Sequence, residues 1–356
     1  MRVHLVRAYL ETLARSAPDV LVRQHVTADM PRNVVAIGKC AGALLDGVAS
    51  VHDIDAAFVA IPEGYPLPRT NAQTHAGGHP HMTRASFDAG RALLQFVERY
   101  DDILFLISGG GSACVEVALA PYTDDDVANA NARLIASGRS IGEINRERRK
   151  LSAIKGGKLR DRVRGRSVTL VYSDVSTGAL ADVASGPTIA HASEAILIAD
   201  NRTLTNIAAQ FIGNDAVLLG AELECDVEQA ARQLAGYALQ RGQILVAGGE
   251  PTVAVHGSGK GGRCSELALR FAAISSGEAL FASSDGVDGN SGAAGIYLPP
   301  SRPQAGATQI RDALAASDSY PLAAQVGEPI MIAPTGNNLR DLFLVARSEG
   351  PNQARD

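Results

Sequence analysis

Short, almost uninterrupted apolar runs recur along the chain: VVAI at 34–37, AAFVAI at 56–61, ILFLI at 103–107, VTLVY at 168–172, AVLLG at 216–220, ILVA at 244–247 and ALFAS at 279–283. Runs of this length without polar alternation are expected of strands buried on both faces, and the helical stretches between them predict crossover helices. Strands alternating with helices predict an α/β chain built on mostly parallel sheet. At the start, Val3, Leu5, Val6, Leu10, Leu13 and Leu21 fall at helical spacing with charges between them, which is not a signal-peptide core. The helical run ECDVEQAARQLAGYALQRG at 224–242 separates two expected α/β domains. These are a larger Rossmann-like domain with mostly parallel sheet over residues 1–235, and a smaller C-terminal domain over 236–356.

Length and composition allow this division, because 356 residues with 46% hydrophobic and 20% charged side chains are enough for two packed cores. No apolar run is long enough to cross a bilayer, so a cytoplasmic location is expected. Cys40, Cys114, Cys225 and Cys264 lie far apart with no C-x-x-C pair, which argues for buried thiols and against a zinc knuckle or disulfide framework. The net charge of −5 speaks against a general nucleic-acid or membrane binder. Only the stretch from Arg133 to Arg166 is strongly basic; most of it is expected to be a solvated helical face, with a minority of its cations facing an anion.

Several apolar runs pass straight into glycine, and ligands of open parallel sheets sit beyond the carboxyl ends of the strands. ILFLI enters Ser108-Gly109-Gly110-Gly111-Ser112, where backbone N–H groups can turn toward an anion free of Cβ clashes, which describes a phosphate cradle. VVAI enters Gly38-Lys39, a lysine at the positive end of a helix, where an anion would make it favourable. Gly257, Gly259 and Gly262 satisfy G-x-G-x-x-G, and that loop also carries Lys260, Gly261 and Arg263, cations suited to phosphate oxygens. No Walker A sequence occurs. Asp174 and Asp285 each follow a strand and suit Mg²⁺ or a hydroxyl-deprotonating base, whereas Asp288 is expected to be a turn former. His75, His79 and His81 read as part of a structured turn rather than a metal site.

In this order the segments AIGKCAG (36–42), GGHP (77–80), LISGGGSA (106–113), LIASGRSIGEIN (134–145), LSAIKGGKL (151–159), SDV (173–175), ASGPT (184–188), GGEPTVAVHGSGKGGR (248–263), SDGVDGNSGAAG (284–295) and PTGNNLRDL (334–342) span nearly the whole chain. The ordered set resembles the glycerate 2-kinase family, which joins a glycerate-kinase domain to a MOFRL domain. The resemblance implies ATP- and Mg²⁺-dependent phosphorylation of the 2-hydroxyl of D-glycerate, in the cleft between the domains. It implies Lys39 and Arg263 as catalytic cations; Asp174 and Asp285, read from their places at strand ends, are the catalytic or metal-binding acids expected beside them. For the acceptor carboxylate, Arg148, Arg149 and Lys155 are the available clamp. The chain departs from the family where Pro-Gly-Asp-Asp is usual after Ser-Asp-Val: it reads Ser176-Thr177-Gly178-Ala179, leaving Asp182 as a displaced acid. Threonate or erythronate as acceptor, an NAD(P)H-dependent hydroxypyruvate reductase using Gly257–Gly262, and a non-catalytic anion binder are the alternatives. The expected partners are the small acid and ATP, without nucleic acid or membrane; homodimer formation is left open.

Overall fold

Two six-stranded sheets account for the apolar runs. The computed structural model describes residues 4–176, 178–189 and 195–347, and its contacts group into two units, Ala17–Asp200 and the described parts of Met1–Ser16 with Asn201–Asp356. The opening helix α1 (Leu5–Arg15) belongs to the second group: Tyr9 is fully buried and its hydroxyl donates to the Ser283 carbonyl at 2.6 Å.

In the unit Ala17–Asp200, β1 (Asn33–Ile37), β2 (Ala56–Pro62), β3 (Gln73–Gly77), β4 (Ile103–Ser108), β5 (Ser167–Tyr172) and β6 (Ile196–Ala199) form one sheet. Its order is β3-β2-β1-β4-β5-β6, every neighbouring pair is parallel, and Asn33 registers with both Ala56 and Ile103. All of β4 is buried, as its unbroken apolar sequence requires when both faces are covered. The helices are α2 (Pro18–Val22), α3 (Ala41–Ala49), α4 (Arg84–Arg99), α5 (Gly111–Cys114), α6 (Asp124–Ile135) and α7 (Ile141–Leu151). α4 buries Phe87, Gly90, Leu93 and Val97, the stripe expected of an amphipathic helix, and a Thr83/Ser86 capping box starts it. This group is called the parallel unit below.

The other group, the mixed unit, holds β7 (Ala216–Leu218), β8 (Ile244–Gly249), β9 (Glu278–Ser283), β10 (Gly295–Leu298), β11 (Glu328–Ile330) and β12 (Asp341–Ala346) in the order β11-β10-β9-β12-β8-β7. Only β7 and β8 run parallel; β12 lies between β8 and β9 and is antiparallel to both. The expectation of mostly parallel sheet is therefore met in the parallel unit, while the second sheet is mixed. Its helices are α8 (Asn201–Ile212), α9 (Val227–Ala235), α10 (Arg263–Ile274), α11 (Ala307–Ala315) and α12 (Ser319–Val326). Contacts divide the chain at 200/201 rather than at the 235/236 junction read from the helical run. The reason is that β7 pairs with β8, and the buried Asn201 amide at the head of α8 donates to the carbonyls of Leu339 (2.7 Å) and Asp341 (3.0 Å). No helix among the described residues is long and apolar enough to cross a membrane.

Candidate active site

The order β3-β2-β1-β4-β5-β6 reverses direction between β1 and β4, and such a switch point leaves a crevice beyond the strand ends. Three strand exits meet there. The Lys39 amide donates to the Gly109 carbonyl at 2.8 Å, and the Cys40 amide to Ser108 Oγ at 3.1 Å, which ties the Gly38-Lys39 turn to the loop after β4. A methyl group on Gly109 would fall 1.7 Å from Asp174 Oδ2, so the carboxylate following β5 rests directly on the Gly109 backbone. At Gly110, whose φ of +82° favours glycine, a methyl would come 2.7 Å from Lys39 Cγ. Lys39, Gly109, Gly110 and Asp174 are thereby brought together. At hydrogen-bonding geometry, the amides of Gly110, Gly111 and Ser112 have no acceptor among the described residues. They are donors with capacity for an outside anion.

Beside this junction is a cavity of about 220 Å³ whose lining includes His79, Ser112, Asn145, Arg148 and Asp174. Helix α7 supplies two of these residues. Its capping box, Ser140 with Glu143, fixes where the helix starts, and the buried face then carries Ile144, Asn145 and Arg148. Ser112 Oγ lies 2.8 Å from Ser185 Oγ, and Ser185 donates to Asn145 Oδ1 at 2.8 Å. Ala184 and Ser185, at φ +51° and +62°, hold left-handed backbone that non-glycine residues rarely adopt, and this strain sits at the cavity wall. His79 lines the same cavity; partial desolvation and the charges of Lys39 and Arg148 hold its pKa down to about 4, so the ring is neutral near pH 7.

The three cations expected as a clamp separate in the structure. Arg148 lines the cavity. Arg149 is spent on the Ala181 carbonyl (2.5 Å), Asp182 (2.7 Å) and the Ser185 carbonyl (3.3 Å), so it props up the strained segment, and Asp182 is occupied in return. Lys155 is 2% exposed and ion-paired with the fully buried Glu116, which also accepts from Ser152 at 2.5 Å. Burial presses the Lys155 pKa down, against the pull of Glu116. Lys155 retains no open side for a clamp, and Arg149 has Nε and Nη2 committed inside the fold.

In the mixed unit the glycine loop has a different character. Thirteen positions separate the end of β8 at Gly249 from Arg263, so G-x-G-x-x-G does not follow a strand directly. Its amides are used internally: Gly257 donates to Ser317 Oγ (3.4 Å), Gly259 to the Ala316 carbonyl (3.3 Å), Lys260 to Asp318 (2.7 Å), Gly261 to Asn290 (2.7 Å) and Gly262 to Ser265 Oγ (2.8 Å). Asp288, expected as a turn former, instead accepts from the Cys264 and Ser265 amides at 2.9 Å each and so fills the anion position at the head of α10. Asp285 Oδ1 accepts from Ser283 Oγ at 2.8 Å and the Val287 amide at 2.9 Å, a local turn. The loop and Arg263 line a pocket of about 810 Å³ together with Glu250, Val253 and Asn290. Arg263 binds buried Asp341 through Nε at 3.1 Å and Nη2 at 3.4 Å, and Glu250 through Nη1 at 2.8 Å. Burial opposes its charge, but these two carboxylates outweigh it and raise the pKa. Lys260 is exposed, with Nζ 5.1 Å from the Tyr320 ring centroid.

The sequence reading missed His79, Asn145 and Ser185 as site residues. A signal existed for Asn145, a polar side chain at a position that the capping box of α7 places on the apolar face. For His79 the signal was its place after β3, at the same sheet end as the loops after β1 and β4.

Residues 4–211 match the family described as "Domain of unknown function (DUF4147)", and residues 243–341 match the MOFRL family. A glycerate 2-kinase of Sulfurisphaera tokodaii is 29% identical, over 88% of this chain and 89% of its own length. A protein of Agrobacterium vitis, provisionally named a hydroxypyruvate reductase, is 28% identical over 95% of this chain and 92% of its own. Among solved structures, glycerate kinase from Thermotoga maritima superimposes with a TM-score of 0.84 at 27% identity, covering 96% of this chain and 98% of that one.

Proposed function

Because the chain belongs to the DUF4147 family and carries a MOFRL segment, we propose that it is a kinase that transfers the terminal phosphoryl group of ATP to the 2-hydroxyl of D-glycerate, giving 2-phosphoglycerate. The observation that carries this reading is the meeting of Lys39, Asp174 and the uncommitted amides of Gly110, Gly111 and Ser112 at the switch point. Phosphoryl transfer needs little covalent help from the protein; it needs positioning and neutralisation of charge on the phosphoryl oxygens. The ammonium of Lys39 and the three amides supply that neutralisation. Asp174 orients the acceptor hydroxyl and takes its proton as the new O–P bond forms and the bond to ADP breaks. The residues suit Mg²⁺ as well, since this ion commonly relies on one or two carboxylates beside phosphate oxygens. Asp174 would hold it, and the ion would add further neutralisation of phosphate charge. Arg263 remains the candidate cation of the mixed unit.

The test is ADP release by the purified protein with ATP, Mg²⁺ and D-glycerate, run beside NADH oxidation with hydroxypyruvate. ADP release without NADH oxidation is expected. The reverse result would establish the reductase reading, which a spent loop amide set and a capped α10 leave without a seat for a pyrophosphate.

A further inference from the structure

Arg148 is 9% exposed, yet no carboxylate among the described residues forms an ion pair with it. Its Nε donates to Asn131 Oδ1 at 2.8 Å and Nη1 to Asn145 Oδ1 at 3.4 Å, both neutral amides. That leaves the Nη2 pair and one Nη1 hydrogen without an acceptor among the described residues. The carboxylate that most offsets its desolvation, Glu116, is already committed to Lys155 and Ser152. Largely withdrawn from bulk water and without a counter-ion, this guanidinium carries a desolvation cost that an anion entering the cavity would offset. A second orphan lies beside it: Asn131, on α6, is 2% exposed and its Nδ2 has no hydrogen-bond partner.

We infer that Arg148, held edge-on by Asn131 and Asn145, is the receptor for the carboxylate of the acceptor acid. This deepens the proposed function and rests on it for the hydroxyl chemistry. Guanidinium and carboxylate match as a bidentate pair, which fixes the orientation of a small acid as well as its position. In a 2-hydroxy acid the reacting oxygen is on the carbon next to the carboxylate, so fixing that end fixes the hydroxyl. Asp174 lines the same cavity, which places a carboxylate within the same space as the guanidinium. Asn131 and Asn145 are positioning residues: as neutral acceptors they aim the fork and leave its charge unspent.

The decisive variant is Asn131→Asp, which is nearly isosteric and gives Arg148 a counter-ion from within the protein. KM for D-glycerate is expected to rise by at least about 30-fold while KM for ATP stays within about 2-fold, because an internal carboxylate competes only with the acid. Thermal stability should hold or increase. Arg148→Lys should also raise KM for glycerate, and glycerol, the neutral analogue with CH2OH in place of the carboxylate, should be less handicapped relative to glycerate in Asn131→Asp. Calorimetric binding of D-lactate, which lacks the 3-hydroxyl, should be weakened in parallel by Asn131→Asp. If Asn131→Asp is merely more stable, with the glycerate KM and lactate binding unchanged, Arg148 is structural and the inference falls while the kinase stands. If the wild type never turns over glycerate yet binds lactate in an Asn131→Asp-sensitive way, the receptor stands and the proposed reaction falls.

Discussion

The two glycine-rich loops, Ser108–Ser112 in the parallel unit and Gly257–Gly262 in the mixed unit, look equally suited to phosphate by composition, yet the structure treats them oppositely. In the first, the amides of Gly110, Gly111 and Ser112 find no acceptor among the described residues, and Lys39 and Asp174 close on the same backbone. In the second, five amides are satisfied by Ser317, Ala316, Asp318, Asn290 and Ser265, and Asp288 caps the helix that follows. A buried amide donor is costly to leave unmade, so one committed inside the fold is not available to a ligand. Whether a glycine loop can receive an anion therefore depends on where its donors go, and glycine content alone does not decide it.

If the first loop is the receiving one, the largest effect is expected from its cation. Lys39→Met should lower kcat by about 10²- to 10³-fold, the scale of losing a preorganised donor to a charged transition state. The variant should melt with the wild type, and steady-state kinetics beside a thermal scan checks both. Next come the two acids that the sequence ranks equally. Asp174→Asn should cost about 10²-fold in kcat, and Asp285→Asn, whose carboxylate serves a turn, less than about 10-fold. Equal losses would erase the contrast between the units.

The glycines sharpen the contrast further. Gly109→Ala pushes a methyl into the Asp174 carboxylate and should reduce activity; Gly259→Ala pushes one to 2.5 Å from Asp318 Cβ and should instead cost about 1–3 kcal/mol of stability, read from urea unfolding. The smallest effect concerns pH. Burial raises the Asp341 carboxyl from 3.8 to about 6, with Arg263 opposing. A carboxyl whose folded pKa is raised holds its proton more tightly when folded, so its contribution to stability is greatest below about pH 4 and declines toward pH 6. Asp341→Asn should remove that decline from the unfolding free energy measured across pH 4 to 6, leaving the rest of the profile.

Much of the fold was legible because strands covered on both faces must be apolar throughout; every one of the seven runs coincides with a strand, AVLLG only as Ala216–Leu218. β12 escaped the reading although DLFLVA is as apolar as the others, and so did β10 and β11; the antiparallel pairings of these strands are what make the second sheet mixed. At the site, Lys39, Ser108–Ser112 and Asp174 were readable because each follows a strand that the parallel order brings to one edge. The fates of Arg148, Arg149 and Lys155 were not readable. All three sit in one basic stretch, and what distinguishes them is their partners in space: two asparagines for Arg148, Asp182 for Arg149 and Glu116 for Lys155. Sequence spacing carries no record of those pairings.

The central claim, that the switch-point loop of the parallel unit transfers phosphate to the 2-hydroxyl of glycerate, is tested most directly by product coupling. Wild-type protein is supplied with ATP, Mg²⁺ and D-glycerate, and phosphoenolpyruvate is measured with enolase present and phosphoglycerate mutase absent. Phosphoenolpyruvate is expected to form at the rate of ADP release and to fall by about 10²- to 10³-fold in Lys39→Met. ATP consumption that yields phosphoenolpyruvate only after mutase is added, or undiminished formation in Lys39→Met, would contradict it.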